Sequence, residues 1–313
     1  MQPANNIAVV GAGLVGIGWA IVFARAGKSV AMHDENTALR AGLEAAIRSR
    51  LDDMHRYGLL DDVESVAARI RIAADLKDAV ADADYIQESV FERADVKHAV
   101  SLAIASAMRA DAVVGSSSSG IPASAFTGDV PHRNRFLVVH PVNPPHLIPL
   151  VELVAAPWTD PEIVPGMIDM LESVGQKPIV VKSEVEGFVL NRLQGALLNE
   201  AWALFAEGVA SAADIDRTVS EGLGLRWSFM GPFETIDLNA PGGVQDYADR
   251  LSPLYHAMAL DRRDPRPWSK TTIDRLTAER RQVLSRDDLA ERSAWRDRRL
   301  MALAAHRRAE PAE

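Results

Sequence analysis

The chain has 313 residues, 48% hydrophobic and 25% charged, with a net charge of −9 and no cysteine. This length holds one large or two medium domains with a sizeable core, and the negative charge argues against nucleic acid or an anionic membrane surface as the main partner. The missing thiols exclude disulfides, thiolate catalysis and cysteine-bound zinc; with no bilayer-length apolar span and no leader pattern, a cytoplasmic protein is expected.

Residues 7–10 are a short β-branched run read as a first strand. They lead into Gly11-Ala12-Gly13-Leu14-Val15-Gly16, and a helical pattern follows as far as Gly27. Strand, G-x-G-x-x-G and helix in this order form a dinucleotide-binding fingerprint. Gly11 permits the tight turn, Gly13 lets backbone approach a pyrophosphate, and Gly16 lets the helix pack closely. Leu14, Val15 and Gly16 open the helix, whose free N–H groups and dipole favour an anion. A second strand, 29–33, ends at Asp34. An acid there suits the adenosine ribose diol and repels a 2′-phosphate, so the expected cofactor is NAD. The alternative is a glycine turn that holds no ligand.

Apolar residues at helical spacing continue over 36–58, ending at Gly58, and over 63–68. Short strands are predicted at 70–72 and 83–87, and a helix from near Glu92 to Ala107. Glu92 and Lys97 fall near the sheet edge where a nicotinamide would lie, although the residues alone favour ordinary surface charges. A fifth strand, 112–115, runs into Ser116-Ser117-Ser118-Ser119-Gly120. These hydroxyls either donate to a substrate oxygen or form a flexible polar loop. A serine hydrolase would want G-x-S-x-G at a strand–helix elbow, and the sequence has none.

The apolar run 136–139 delivers His140 to the C-terminal edge of a strand, where ligands of open α/β sheets bind. Pro141, Pro144, Pro145 and Pro149 then forbid helix. A further strand, 150–154, carries Glu152 in its middle, a costly place for a carboxylate without a partner. Pairing with His140 would fix the imidazole tautomer and let the ring take a proton from an alcohol, although a histidine after a strand is by itself more often structural than catalytic. His132 and His146 are expected on surface loops. A helix at 161–174 with Gly175 as its cap and a last strand at 178–181 complete the alternation. The fold class is therefore α/β, a doubly wound and mostly parallel sheet.

Beyond that point only helices are predicted, at 188–209, 214–221, 232–238, 247–258 and 288–305, before a charged tail over 307–313. The expected division is a sheet domain of residues 1–185 and an all-helical domain of residues 186–313. Broad apolar helix faces make a homodimer the expected assembly. Asn191 lies on the first turn of the first long helix, where it could donate to a substrate oxygen or to His140, although the residues alone favour an ordinary helix-start asparagine. Arg226 lies in the apolar loop Gly224-Leu225-Arg226-Trp227, and wants an anion, either a substrate carboxylate or a glutamate.

Four stretches together carry a resemblance: VVGAGLVGIGWAIVFARAG (9–27), HPVNPPHLIPLVELV (140–154), EGFVLNRLQ (186–194) and EGLGLRWSFMGPFETIDLNA (221–240). In motif, order and spacing the whole chain resembles the 3-hydroxyacyl-CoA dehydrogenase family. The resemblance implies a Rossmann domain followed by a helical dimerisation domain, with NAD as cofactor. It places the catalytic histidine at His140, the following asparagine, counted with the cofactor contacts, at Asn143, and the paired glutamate at Glu152. It places the substrate-loop serine at Ser119 and the asparagine of the N-R-L motif at Asn191. Glu92 and Lys97 become nicotinamide-side residues rather than surface charges. One departure bears on the substrate: acyl-CoA members carry HFFNP where this chain has His140-Pro141-Val142-Asn143-Pro144, and tend to carry basic residues after the second strand. The cations here, besides His, are Arg40, Arg48, Arg50, Arg56 and Arg69. The resemblance thus implies oxidation of a small 3-hydroxy acid, L-gulonate above others, whose carboxylate is one of the two anions open to Arg226. A 3-hydroxyacyl-CoA such as 3-hydroxybutyryl-CoA and L-carnitine are the alternatives. Carnitine's ammonium would want an aromatic cage, for which Trp227, Phe229 and Phe233 are candidates, although core packing is the commoner role. A structural NAD(H)-binding protein without turnover is disfavoured by the complete set of site residues.

Overall fold

In β1 (Asn6–Val10), Ile7 and Val9 enter one apolar layer while Ala8 and Val10 enter another, the two-sided burial of a strand covered on both faces. The computed structural model describes residues 4–262 and 267–309. After β1 come α1 (Leu14–Arg25), β2 (Ser29–His33), α2 (Thr37–Arg56), α3 (Val63–Ala67) and β3 (Ile70–Ile72). Next are α4 (Leu76–Val80), β4 (Tyr85–Glu88), α5 (Ala94–Ala107), β5 (Val113–Ser116), β6 (Phe136–Pro141) and β7 (Leu150–Ala155). The sheet closes with α6 (Ile163–Ser173) and β8 (Lys177–Val181). The strands lie in the order β3-β2-β1-β4-β5-β6-β7-β8, parallel everywhere except between β6 and β7. The chain reverses direction across the sheet between β1 and β4, which makes their C-terminal ends the crevice for a ligand.

Trp19 and Phe23 of α1, with Leu43, Ile47, Leu51 and Met54 of α2, fill the layer on one face. Ala79 and Val80 of α4 and Ile104 of α5 fill the other. All eight expected strands are present, and β4 extends one residue past the predicted end to take in Glu88.

The remaining helices are α7 (Leu190–Ala206), α8 (Ala212–Thr218), α9 (Gly224–Trp227), α10 (Pro232–Leu238), α11 (Gly243–Asp261), α12 (Lys270–Val283) and α13 (Leu289–Ala309). The chain forms two compact units. One contains the sheet, runs to Gln194 and takes the chain in again from Ala294; the other is Gly195–Ser293. Met301 of α13 accordingly packs in the first layer with Trp19 and Leu51.

Several elements differ from the sequence reading. Helices α4 and α12 were not anticipated: α4 is short, and α12 is too polar to show an apolar stripe, but each has a side-chain cap, Asp75 and Ser269. The segment around Arg226 is a helical turn, α9, rather than a loop. Residues 307–309 continue α13 instead of fraying, and 310–313 lie outside the described residues. His146 is buried, 6% exposed, rather than on the surface, because the proline segment packs on α1: a Cβ at Gly18 would fall 2.6 Å from Pro145 Cδ. His132 is exposed, as expected.

Candidate active site

The antiparallel pairing of β6 with β7 sets His140 directly opposite Glu152. The two side chains meet, His140 Nδ1 to Glu152 Oε2 at 2.7 Å, and both residues are buried. The second oxygen, Oε1, accepts the N–H groups of Val189 and Leu190 at 2.9 and 3.0 Å. Glu152 therefore caps the N-terminus of α7, where backbone donors and the helix dipole favour an anion. That explains why α7 begins at Leu190 and not at Phe188. Burial by itself would raise the Glu152 carboxyl; the His140 hydrogen bond and the two backbone N–H groups outweigh it and hold it below its ordinary value. Phe188, fully buried, lies against the imidazole with ring centres 5.9 Å apart. With Nδ1–H donated to Glu152, Nε2 is left as the acceptor.

The cap also brings Asn191 into the site, on the first turn of α7. Its amide donates to the carbonyl oxygen of Ser119. The serine run is not flexible. Ser116 Oγ donates to Glu88, Ser117 Oγ lies 2.8 Å from both Gln87 Nε2 and Ser89 Oγ, and Ser118 Oγ donates to Glu92 at 2.8 Å. Ser119 is the least committed: it is half-buried and its Oγ reaches Glu92 only at 3.3 Å. Its hydroxyl is the one of the four best able to meet a substrate oxygen.

Glu92 gathers this loop. Its Oε1 accepts from Ser119 N and Gly120 N at 2.8 and 3.1 Å, and Oε2 faces Lys97 Nζ at 3.4 Å. Holding that carboxylate explains why α5 starts at Ala94 and not at Glu92. Burial raises the Glu92 carboxyl, but the Lys97 charge and these hydrogen bonds bring it below its usual value. Lys97 is fully buried, and its ammonium also bonds both oxygens of Glu88, at 3.1 and 3.2 Å. The sequence reading missed Glu88 and Phe188. Glu88 had a signal: a carboxylate directly after a predicted central strand, followed nine residues on by a lysine.

At the β1 end, a Cβ on Gly11, whose φ is +104°, would lie 2.4 Å from Ser89 O. One on Gly16 would lie 1.9 Å from Gly11 O, so the helix and turn touch only because both residues lack side chains. A Cβ on Gly13 would meet nothing within 4 Å. Helix α1 has no side-chain cap. Asp34 follows β2 and is fixed by Ala12 N on Oδ2 at 2.7 Å and Asn36 N on Oδ1 at 2.8 Å, which leaves acceptor capacity on each oxygen.

Residues 6–185 match the family model described as 3-hydroxyacyl-CoA dehydrogenase, NAD binding domain, and residues 187–282 match that of its C-terminal domain. The chain belongs to the 3-hydroxyacyl-CoA dehydrogenase family. Among its relatives, lambda-crystallin of Oryctolagus cuniculus is 37% identical over 96% of each chain. L-carnitine dehydrogenase of Pseudomonas aeruginosa is 34% identical over 96% of this chain and 92% of that one. The crystal structure of 5-formyl-3-hydroxy-2-methylpyridine 4-carboxylic acid 5-dehydrogenase, an NAD-dependent dismutase, superposes with a TM-score of 0.85 at 29% identity over 99% of each chain.

As a member of this family the protein is an NAD-dependent dehydrogenase acting on a hydroxyl group. The residues present fit the cofactor. The uncapped start of α1, the open face at Gly13 and the fixed Asp34 carboxylate offer donors to a pyrophosphate and acceptors to a ribose diol. When bound, NAD supplies the hydride acceptor.

The geometry gathers the remaining expected site residues into two groups joined through α7. His140 and Glu152 form one; Ser119, Asn191, Glu92 and Lys97 form the other. Asn143 is exposed on the loop after β6. Arg226 belongs to the helical unit, where it is exposed and its guanidinium lies 3.5 Å from Asn239 Oδ1, not beside a glutamate. Trp227, Phe229 and Phe233 are 41%, 67% and 79% exposed, so they are not core residues.

Proposed function

We propose that the enzyme oxidises the 3-hydroxyl of a small hydroxy acid, with L-gulonate going to 3-dehydro-L-gulonate. Within the family the sequence resembles L-gulonate 3-dehydrogenase, the protein also known as lambda-crystallin. In this reading His140 takes the hydroxyl proton at Nε2, and Glu152 holds the ring's orientation and balances the imidazolium. Ser119 and Asn191 order the groups around the reacting oxygen. Gly11, Gly13, Leu14, Val15, Gly16 and Asp34 hold the pyrophosphate and ribose, with Glu92, Lys97 and Asn143 on the nicotinamide side. Arg226 is the proposed cation for the substrate carboxylate.

The observation that carries the chemistry is the buried His140–Glu152 pair, whose carboxylate is tied to both the ring and the helix that brings Asn191. A small substrate is favoured over a CoA ester by the cations after β2, each of which has a partner. Arg40 bonds Asp34 O, Arg48 bonds Glu64, Arg50 bonds Ala46 O, Arg56 pairs with Asp53, and Arg69 bonds Ser65 O. A CoA phosphate would have to compete with all of these. A second reading, L-carnitine, draws on the exposed Trp227, Phe229 and Phe233 and on the L-carnitine dehydrogenase relative, since aromatic faces attract a quaternary ammonium.

The same proposal makes the enzyme a cytoplasmic homodimer that pairs through its helical unit. Supporting this, α11 has no buried residue and exposes Val244, Leu254, Tyr255 and Met258, an apolar face of the kind that marks an interaction site. The deciding assay follows NADH formation with L-gulonate, L-carnitine and L-3-hydroxybutyryl-CoA side by side. The proposal expects turnover on L-gulonate at a rate of about 1–1000 per second. Turnover on the CoA ester alone would overturn it.

A further inference from the structure

We propose that Glu88 is a positioning residue that holds the Lys97 ammonium from the interior and so fixes Glu92 and the Ser119 loop. It rests on the reading of Ser119 and Asn191 as the groups ordering the reacting hydroxyl. An ammonium has three N–H groups. In Lys97 the ammonium donates to Glu88 Oε1 at 3.1 Å and Oε2 at 3.2 Å and pairs by charge with Glu92 Oε2 at 3.4 Å, and the side chain is 1% exposed. Enclosed in this way, Lys97 acts on the site through Glu92. Glu88 is just as enclosed and as fully used. Val90 N donates to Oε1 at 2.7 Å, Ser116 donates to Oε2, and the residue is 1% exposed.

Glu92 is the link to the site. Its side chain is 39% exposed, with one oxygen toward Lys97 and the other under the N–H groups of Ser119 and Gly120. Ser119 is thereby held at both ends, by Glu92 at its N–H and by Asn191 at its carbonyl. A half-exposed carboxylate without a cation behind it would turn to water, and the loop would lose its anchor. A buried ammonium with one carboxylate instead of two would be drawn toward whichever charge it could find. Glu88 prevents both from the interior.

The competing explanation is that Glu88 merely neutralises a buried charge. Two variants separate the ideas: Glu88→Gln, and Glu88→Gln combined with Lys97→Met, which buries no unpaired charge. Three quantities are read in each: melting temperature, kcat and KM, and amide hydrogen exchange of the segment 116–121, which needs no substrate. The single variant is expected to lose roughly ten- to a hundredfold in kcat with KM for NAD within about threefold. In the single variant the Ser119 and Gly120 amides are expected to exchange at least about tenfold faster than in the wild type; the double variant, which also removes the Lys97 hold on Glu92, is expected to regain melting temperature but not this protection. Recovery of kcat and protection together with melting temperature would overturn the proposal, as would wild-type values in the single variant. Should Glu88→Gln alone fail to fold, the double variant decides. Absence of wild-type turnover on every substrate tried would remove the underlying reading of the site, while the exchange measurement would still test the Glu88 linkage.

Discussion

The sheet unit and the helical unit use charge in opposite ways. In the sheet unit the charges of the site are dry: Glu88, Lys97 and Glu152 are fully buried and each meets several partners. In residues 195–293 the ion pairs lie on the surface, as with Arg262 between Glu200 and Glu207, Lys270 with Asp274, and Arg280 with Asp216. Exposed pairs of this kind contribute about 0–1 kcal/mol each. Breaking a buried pair by removing one partner costs about 3–5 kcal/mol. Helices α9, α11 and α12 contain no buried residue at all. The sheet unit thus has the rigid, water-poor polar network that proton transfer wants, and the helical unit has the apolar surface that a partner wants.

The sharpest way to break this contrast is at the histidine. His140→Gln keeps a side chain of similar reach but cannot carry the proton. We expect kcat to fall by about 10²–10⁴-fold, with NADH binding and melting temperature close to the wild type. Near-wild-type turnover would remove His140 from the reaction and leave the buried pair a structural one.

Much of this contrast was legible in the sequence, and what was not has physical causes. The glycine turn and the eight strands were visible because covered strands are continuous apolar runs and because no side chain fits at Gly11 or Gly16. The His140–Glu152 pair was visible because a carboxylate inside a strand demands a partner. Glu92 and Lys97 were not visible from the residues: their neighbours in sequence are ordinary charges, and Lys97 gains its meaning from Glu88 on a different element. The burial of His146 was hidden for a similar reason, since it depends on the missing side chain at Gly18, far away in the chain. The exposed aromatics of the helical unit looked like core because sequence cannot say which apolar face lacks a partner.

The helical side of the comparison is tested by charging its apolar face. Leu254 and Met258 of α11 are 54% and 47% exposed and one helical turn apart. Replacing both with Glu should halve the mass measured by light scattering, while NADH affinity, which belongs to the sheet unit, stays within about a few tenths of a kcal/mol, as for distant independent sites. A monomeric wild type would end the proposed pairing.

The smallest effect expected concerns His146, and its sign follows from burial. The imidazole is 6% exposed, its Nδ1 has no hydrogen-bond partner, and its pKa is lowered from 6.5 to about 3 by burial first and then by the charges of Arg25 and Arg50. The folded protein keeps this ring neutral, whereas the unfolded chain protonates it as pH falls below 6.5. Its contribution to stability is therefore complete above that pH and declines as the pH drops toward about 3. Each pH unit in that window costs at most about 1.4 kcal/mol, so about 2 kcal/mol is lost by pH 5. His146→Leu removes the titrating group and the orphaned nitrogen together. Its melting temperature should fall less than the wild type's between about pH 7.5 and pH 5, by roughly 4–8 °C. Glu152 and Glu92, also held below their ordinary values, lose stability with acid equally in both proteins, so they cancel in the difference. Equal acid slopes would mean that the ring finds a proton acceptor or water in the folded state, and that the proline segment sits more loosely on α1 than the Gly18 contact implies.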